Sequence, residues 1–179
     1  MPDIVGARAQ GPSVHLFPQL EGAMFLTLLR SALHNLGVFV VGIGWAYLGT
    51  RVDALLGLHE FSSVWAEVAA VVLLVLGFLT RLWATAQFYA HRMRVISLAP
   101  QGSLITSGPF RFSRNPLYLG GNVFTFFGAS LLLGSPAALT MTALHLPLVD
   151  WMIRREERQL EARFGDEFRS YRARVRRWL

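Results

Sequence analysis

The chain has 179 residues, of which 53% are hydrophobic and only 16% charged, with a mean hydropathy of +0.41. That is one domain's worth of sequence, and it is more apolar than an ordinary soluble domain. All 17 basic residues are arginine, the net charge is +6, there is no cysteine, and nine of the arginines crowd into residues 154–179. This excludes disulfides, thiolate zinc sites and cysteine nucleophiles. It also argues against a nucleic-acid surface and for contact with anionic lipid headgroups.

The chain opens on MPDIVGARAQGPS, a polar leader with no basic-then-apolar signal pattern. Residues 1–30 are read as this leader and the approach to the first helix. Four apolar segments follow, Ser31 to Gly49, Val64 to Phe88, Leu117 to Leu133 and Ala137 to Ile153. A helix needs roughly 17–25 apolar residues to cross the hydrocarbon core, so all four qualify, the last two only just. The prediction is an all-α integral membrane bundle, a single domain over 1–179, with about four transmembrane helices in 31–153. In the tail, 154–179, the residues Leu160, Phe164, Phe168, Tyr171, Val175 and Trp178 continue a helical stripe that starts at Ile153. The tail is therefore read as an Arg-rich amphipathic cytosolic helix, lying on the membrane surface or folding over the cytoplasmic mouth. Gly165-Asp166 is its expected break.

The arginines orient the spans. Arg8 and Arg30 precede the first, and only Arg51 lies in the loop after it. Arg92, Arg94, Arg111 and Arg114 follow the second, the turn at Gly134-Ser135-Pro136 has none, and the tail has nine. Basic loops stay in the cytoplasm, which places both termini inside. The three-residue turn forces an antiparallel hairpin. It brings Asn115, Pro116 and Tyr118 to the same face as Asp150 to Glu157.

That face carries the chemistry. The stretch Gly108 to Gly121 reads GPFRFSRNPLYLGG. Asn115 is placed to cap a helix whose first residue is Pro116, and such a helix start can hold an anion. Glu157 fills a gap in the tail's apolar stripe, and a carboxylate there needs a partner, because burying it alone is costly. Arg111 and Arg114 are anchors for the interface or ligands for an anion. Gly42-Ile43-Gly44 lies inside a span and suits close helix packing better than dinucleotide binding. His34, Glu67, Arg81, His145 and Asp150 are ionisable groups in or beside spans, and each is a functional candidate on that ground. No zinc-type histidine spacing is present, so no metal is expected.

The motif GPFRFSRNPLYLGG, followed by a short hairpin and REERQLEARFGDEFRSYRARVRRWL, resembles the isoprenylcysteine carboxyl methyltransferase and phospholipid methyltransferase superfamily. The resemblance runs from roughly Leu104 to Val175. It implies an integral membrane methyltransferase that uses S-adenosylmethionine and acts on a lipophilic small molecule or lipid. It further implies a cofactor site on the cytosolic side built from Gly102, Ser103, Leu104, Ile105, Phe110, Arg114, Asn115, Pro116, Leu117, Tyr118, Glu156 and Glu157. An acceptor-orienting Arg154 or Arg155 would act with Glu157 in catalysis. Asn115 stands where the carboxyl methyltransferases have His, Phe110 where the family often has Tyr, and the phospholipid enzymes' Gly-x-Gly is not evident upstream. Carboxyl O-methylation and phospholipid N-methylation both remain open. The alternative outside enzymes is a membrane scaffold that binds anionic lipid through its Arg tail.

Overall fold

The computed structural model describes residues 16–93, 95 and 102–179, and every described element is helical. The expected leader's first 15 residues, with Arg8, lie outside the described residues, as does Arg94. Helix α1 (Leu16–Leu56) begins within the stretch read as leader and continues past Gly49. It ends at Gly57, whose φ of +67° is a left-handed conformation that glycine adopts without strain. There the Leu58 amide donates back to the Asp53 carbonyl. Helix α2 (Val64–Ala90) matches the expected second span with two further residues at its end. A 3-10 turn at Gly108–Arg111 leads into helix α3 (Pro116–Leu132). Helix α4 (Pro136–Phe164) and helix α5 (Asp166–Arg174) complete the chain. Gly165 breaks α4 from α5 at φ +51°, at the position the sequence indicated.

Among the described residues two helices are long and apolar enough to cross a bilayer, the Leu29–Leu56 part of α1 with 28 residues and α2 with 27. Helix α3 is a shorter apolar helix. At 1.5 Å per residue its length is about 26 Å, just under a hydrocarbon core of about 30 Å. The expected fourth span is the apolar first part of α4, which runs without interruption into the charged REER segment. The tail therefore does not begin as a separate helix at residue 154.

The packing is that of a membrane bundle. Its core is made of small residues, with Ala46, Ala129 and Ala138 forming one cluster. The large apolar side chains Trp65, Val68, Val72, Leu76 and Leu79 of α2 point outward, as expected where lipid replaces water. Close approach depends on glycine. A Cβ on Gly42 would come within 2.8 Å of the Thr125 methyl on α3, whereas Gly44 faces open space. Only the first of the paired glycines therefore serves packing. A Cβ on Gly77 of α2 would come within 2.8 Å of the Gly120 carbonyl of α3.

The end of the bundle at the α3–α4 turn is pinned by an aspartate that the sequence did not flag. Asp53, 1% exposed, accepts from the Ser135 hydroxyl, and its other oxygen accepts from the Ala137 amide at 2.8 Å. Ser135 in turn accepts from the Ala138 amide at 3.0 Å. A residue of α1 thereby caps α4 and offsets the positive end of its dipole.

Candidate functional site

A cavity of about 390 Å³ opens at the opposite end of the bundle. Its walls come from α1 (His34, Val38), the end of α2 (Arg81, Phe88), the motif loop (Ser103, Leu104, Ile105, Phe110), the start of α3, the charged half of α4 and α5. Pockets of this size hold small ligands when apolar walls carry a few placed polar groups.

Helix α3 supplies one wall in an unusual register. Its segment Leu119–Thr125 is a π-helix. There the Thr125 hydroxyl donates to the Gly120 carbonyl at 2.7 Å, and Asn122 lines the cavity. Such bulges are rare and concentrate at functional sites. The neighbouring glycines are shaped around Arg81. A Cβ on Gly120 would lie 2.7 Å from the Arg81 Cγ, and one on Gly121 would lie 2.7 Å from its Nη1. The Leu-Gly-Gly that ends the motif is thus the slot in which a guanidinium from α2 rests. Arg81, 7% exposed, donates from Nε to Asn35 Oδ1 at 2.9 Å and from Nη1 to the Leu117 carbonyl at 2.7 Å. Its Nη2 lies 3.4 Å from His34 Nε2. A guanidinium has only donors, so that imidazole nitrogen is the acceptor.

The paired glutamates of α4 have different surroundings. Glu157, 6% exposed, receives Arg114 Nη2 at 2.7 Å and Arg177 Nη2 at 2.8 Å. The partner that its place on the apolar stripe demanded is therefore a pair of arginines. Burial alone would push its carboxyl up, but the hydrogen bonds and charges of Arg177 and Arg114 outweigh burial and hold it below the usual range. Arg114 is fully committed. Besides Glu157 it donates from Nη1 to the carbonyls of Val175 (2.5 Å) and Arg172 (3.3 Å). The chain's last residues close over this clamp. The Arg176 carbonyl accepts from the Arg114 amide at 2.9 Å, and the Arg177 carbonyl accepts from Asn115 Nδ2 at 3.1 Å and from the Ser113 hydroxyl at 3.2 Å.

Asn115 does take the residue position before α3, with Pro116 first in the helix, but its side chain makes no capping bond. The tail carbonyl has claimed its amide. This corrects the expectation of a capping Asn.

Glu156 turns toward the cavity. The Tyr118 hydroxyl donates to Glu156 Oε1 at 2.6 Å. Among the described residues Glu156 forms no ion pair, and burial pushes its carboxyl above the usual range, with the Tyr118 hydrogen bond opposing in part. The antiparallel hairpin thus delivers the juxtaposition read from the short turn, since residues 118 and 156 touch across 38 positions of sequence.

The remaining candidates divide by position. Ser103, Leu104, Ile105, Phe110, Leu117 and Tyr118 line the cavity, while Gly102 and Pro116 do not. Arg154 and Arg155 also lie outside it. Both are exposed, and Arg154 pairs with Asp150 one turn back at 2.7 Å. Arg155, two positions before the inward Glu157, falls on the far side of the helix, and Arg154 turns back to Asp150 instead. His145 packs against Trp45 and Phe126, which also stack on each other, and meets Asn122 Oδ1 at 3.1 Å behind the cavity wall. Glu67 accepts from the Ser62 hydroxyl at the far end of the bundle. Among the described residues no group of three or more His, Asp or Glu is placed to hold a metal ion. The sequence marks Arg81 as a candidate without assigning it a role, and it gives no sign of the π-segment or of Arg177's place. The double glycine beside an Arg-bearing span was the one available signal.

An all-helical bundle with outward-facing apolar helices and a mostly apolar cavity at one end, carrying a few charged groups, fits a membrane-associated protein with a candidate ligand site. The model of the phospholipid methyltransferase family matches residues 65–167. The chain belongs to that family, within the superfamily that the motif pair resembles. The absence of an evident Gly-x-Gly does not set it apart. It is also 53% identical over 34 residues to an uncharacterized protein of Haemophilus influenzae, a match covering 19% of this chain and 54% of that one. The chain thus spans about half the length of the curated relative it matches. No solved structure matches it.

Proposed function

We propose that the protein is a membrane methyltransferase that uses S-adenosylmethionine and methylates the amine of a phospholipid headgroup. In this reading α1, α2, α3 and the apolar part of α4 are the four crossing elements of a single functional unit in the bacterial inner membrane. Both termini and the cavity are then on the cytoplasmic side. Family membership supports methyl transfer in a membrane. The observation that carries the acceptor reading is Glu156, a cavity carboxylate with no cationic partner among the described residues, facing Tyr118.

The cavity's residues suit the cofactor. Phe110 and Tyr118 offer aromatic faces for an adenine or a cationic sulfonium. The main chain of Ser103 to Ile105 offers polar groups at the cytosolic mouth, and Glu156 supplies negative charge that no arginine has neutralised. S-adenosylmethionine brings a methyl group already activated on sulfur, so the protein's contribution is positioning, exclusion of water and proton removal. An ammonium headgroup must lose a proton before its nitrogen can act as a nucleophile. Glu156, which faces the cavity and whose carboxyl burial raises above the usual range, is the group to take it. Tyr118 orients that carboxylate. A carboxylate acceptor would need no such base, which is why the amine is favoured over carboxyl O-methylation.

The test is equilibrium binding of S-adenosylmethionine to detergent-purified protein, followed by lipid analysis of cells with and without the chain. Saturable binding that weakens in Glu156→Gln and Tyr118→Phe is expected, together with new mono- and dimethylated ethanolamine headgroups. The enzyme reading fails if no saturable binding occurs up to about 1 mM, the upper end of ordinary enzyme affinities. Methyl esters in place of methylated headgroups would move the acceptor to a carboxylate.

A further inference from the structure

We propose that Arg81, with His34 beside it, is the oxyanion subsite of the methyl acceptor and grips the phosphate of a phospholipid headgroup. The inference rests on the reading of the cavity as a lipid methyltransferase site and deepens it. Arg81 is a buried guanidinium that contacts only neutral groups among the described residues, an amide oxygen, a carbonyl and an imidazole. Burying a charge without a counter-charge is costly. The bundle nevertheless makes room for it with Gly120 and Gly121, where any side chain would collide with it. Three neutral acceptors fix the guanidinium's plane and take one N–H each from Nε, Nη1 and Nη2, so one N–H on Nη1 and one on Nη2 have no partner among the described residues, and Arg81 lines the cavity.

The other arginine of the cavity wall is not available for this role. Arg114 is spent on Glu157 and on tail carbonyls. Among the described residues, Arg81 is therefore the cavity's uncommitted cation and Glu156 its uncommitted carboxylate. They are not paired with each other. A cavity with one unpaired charge of each sign matches a zwitterion, with ammonium at Glu156 and phosphate at Arg81. Depth assigns that zwitterion to the lipid. Arg81 precedes the end of the expected span at Phe88 by seven residues, or roughly 10 Å of helix. Its neighbours on the cavity wall, His34 and Val38, belong to the long apolar helix α1. A water-soluble donor enters at the other end, past Ser103 to Ile105.

The test is calorimetric titration of detergent-purified protein with three probes. These are dihexanoyl phosphatidylethanolamine, dihexanoylglycerol as its neutral counterpart, and S-adenosylhomocysteine as a donor-side ligand that cannot turn over. In Arg81→Gln the phospholipid affinity is expected to fall about tenfold or more, the loss of a charge-assisted contact. The other two affinities should stay unchanged. Arg81→Lys keeps the buried charge, guards against a folding defect and should recover part of the phospholipid affinity. The inference is overturned if the S-adenosylhomocysteine affinity falls while that of the phospholipid holds, which would make Arg81 a donor contact. It is also overturned if all three fall together, or if the wild-type chain binds the phospholipid no better than the neutral glyceride. Failure of the wild-type chain to bind S-adenosylhomocysteine would refute the methyltransferase reading, and the two glycerides would still report separately on the oxyanion subsite.

Discussion

Glu156 and Glu157 are adjacent in sequence, yet their substitution should give opposite phenotypes. Replacing Glu157 by Gln removes the one negative charge that Arg114 and Arg177 share. Glu157 is 6% exposed, and the Arg114 side chain is 9% exposed, so solvent cannot take over. Breaking a buried pair from one side costs about 3–5 kcal/mol. Arg177, at 24% side-chain exposure, regains part of its hydration and keeps Asp150 at 3.2 Å, which puts the expected loss near the lower end, about 3 kcal/mol. At about 2–4 °C per kcal/mol for a chain of this size, Tm should drop by about 6–12 °C in a detergent melt. Glu156→Gln should leave Tm within about 2 °C, because the amide oxygen still accepts from Tyr118 and a carboxyl whose burial favours its neutral form loses nothing on becoming neutral. Methyl transfer should instead be lost in Glu156→Gln. The reasoning is refuted if Glu157→Gln melts with the wild type, or if Glu156→Gln is the less stable of the two.

The same clamp predicts a response to pH. Glu157 is held below its unfolded value, so its stabilisation is complete above that value, about 4.3, and is lost as pH falls through the depressed folded value. A melt series in acid should show this component in the wild type and not in Glu157→Gln. Gly120→Ala should cost about 1–3 kcal/mol, since the added methyl would meet the Arg81 Cγ at 2.7 Å and the Gly77 carbonyl at 2.9 Å. Its melt should fall, while Gly44→Ala, inside α1 and facing open space, should hold or slightly raise Tm. Asp53→Ala removes two acceptor oxygens from the start of α4 and should cost about 1–2 kcal/mol. Its effect on S-adenosylmethionine affinity should be small, because Asp53 is at the other end of the bundle, and parallel melts and titrations would show both.

The helices were legible because their signals are local. Runs of apolar residues, Gly165 at a helix break and Pro116 at a helix start mark elements without reference to anything distant. The same locality explains the misreadings. Residues 16–30 looked like a leader because their apolar content is diluted, yet propensity and continuity with the span extend α1 to Leu16. The charged half of α4 looked like a new element because composition changes at Arg154, although no residue there stops a helix. The π-segment leaves almost no periodic trace, since one extra residue in one turn is smaller than the scatter of any apolar pattern.

The site was legible to the extent that one short turn dictated it. Gly134 to Pro136 forces α3 and α4 antiparallel, and from that alone Tyr118 and Glu156 had to share a face. What could not be read was how the arginines are shared out. Charge pairing depends on which of several interchangeable guanidiniums arrives at a carboxylate, and seventeen identical side chains carry no label. The fold makes the assignment through the tail. By bringing the carbonyls of Val175, Arg176 and Arg177 onto the motif loop, it fixes Arg114 and Arg177 on Glu157. That leaves Glu156 and Arg81 as the charges with no opposite partner among the described residues of the cavity. Arg81 is buried and Glu156 faces the cavity held by Tyr118, and on the proposed reading the two charges are kept apart for a zwitterionic headgroup to bridge.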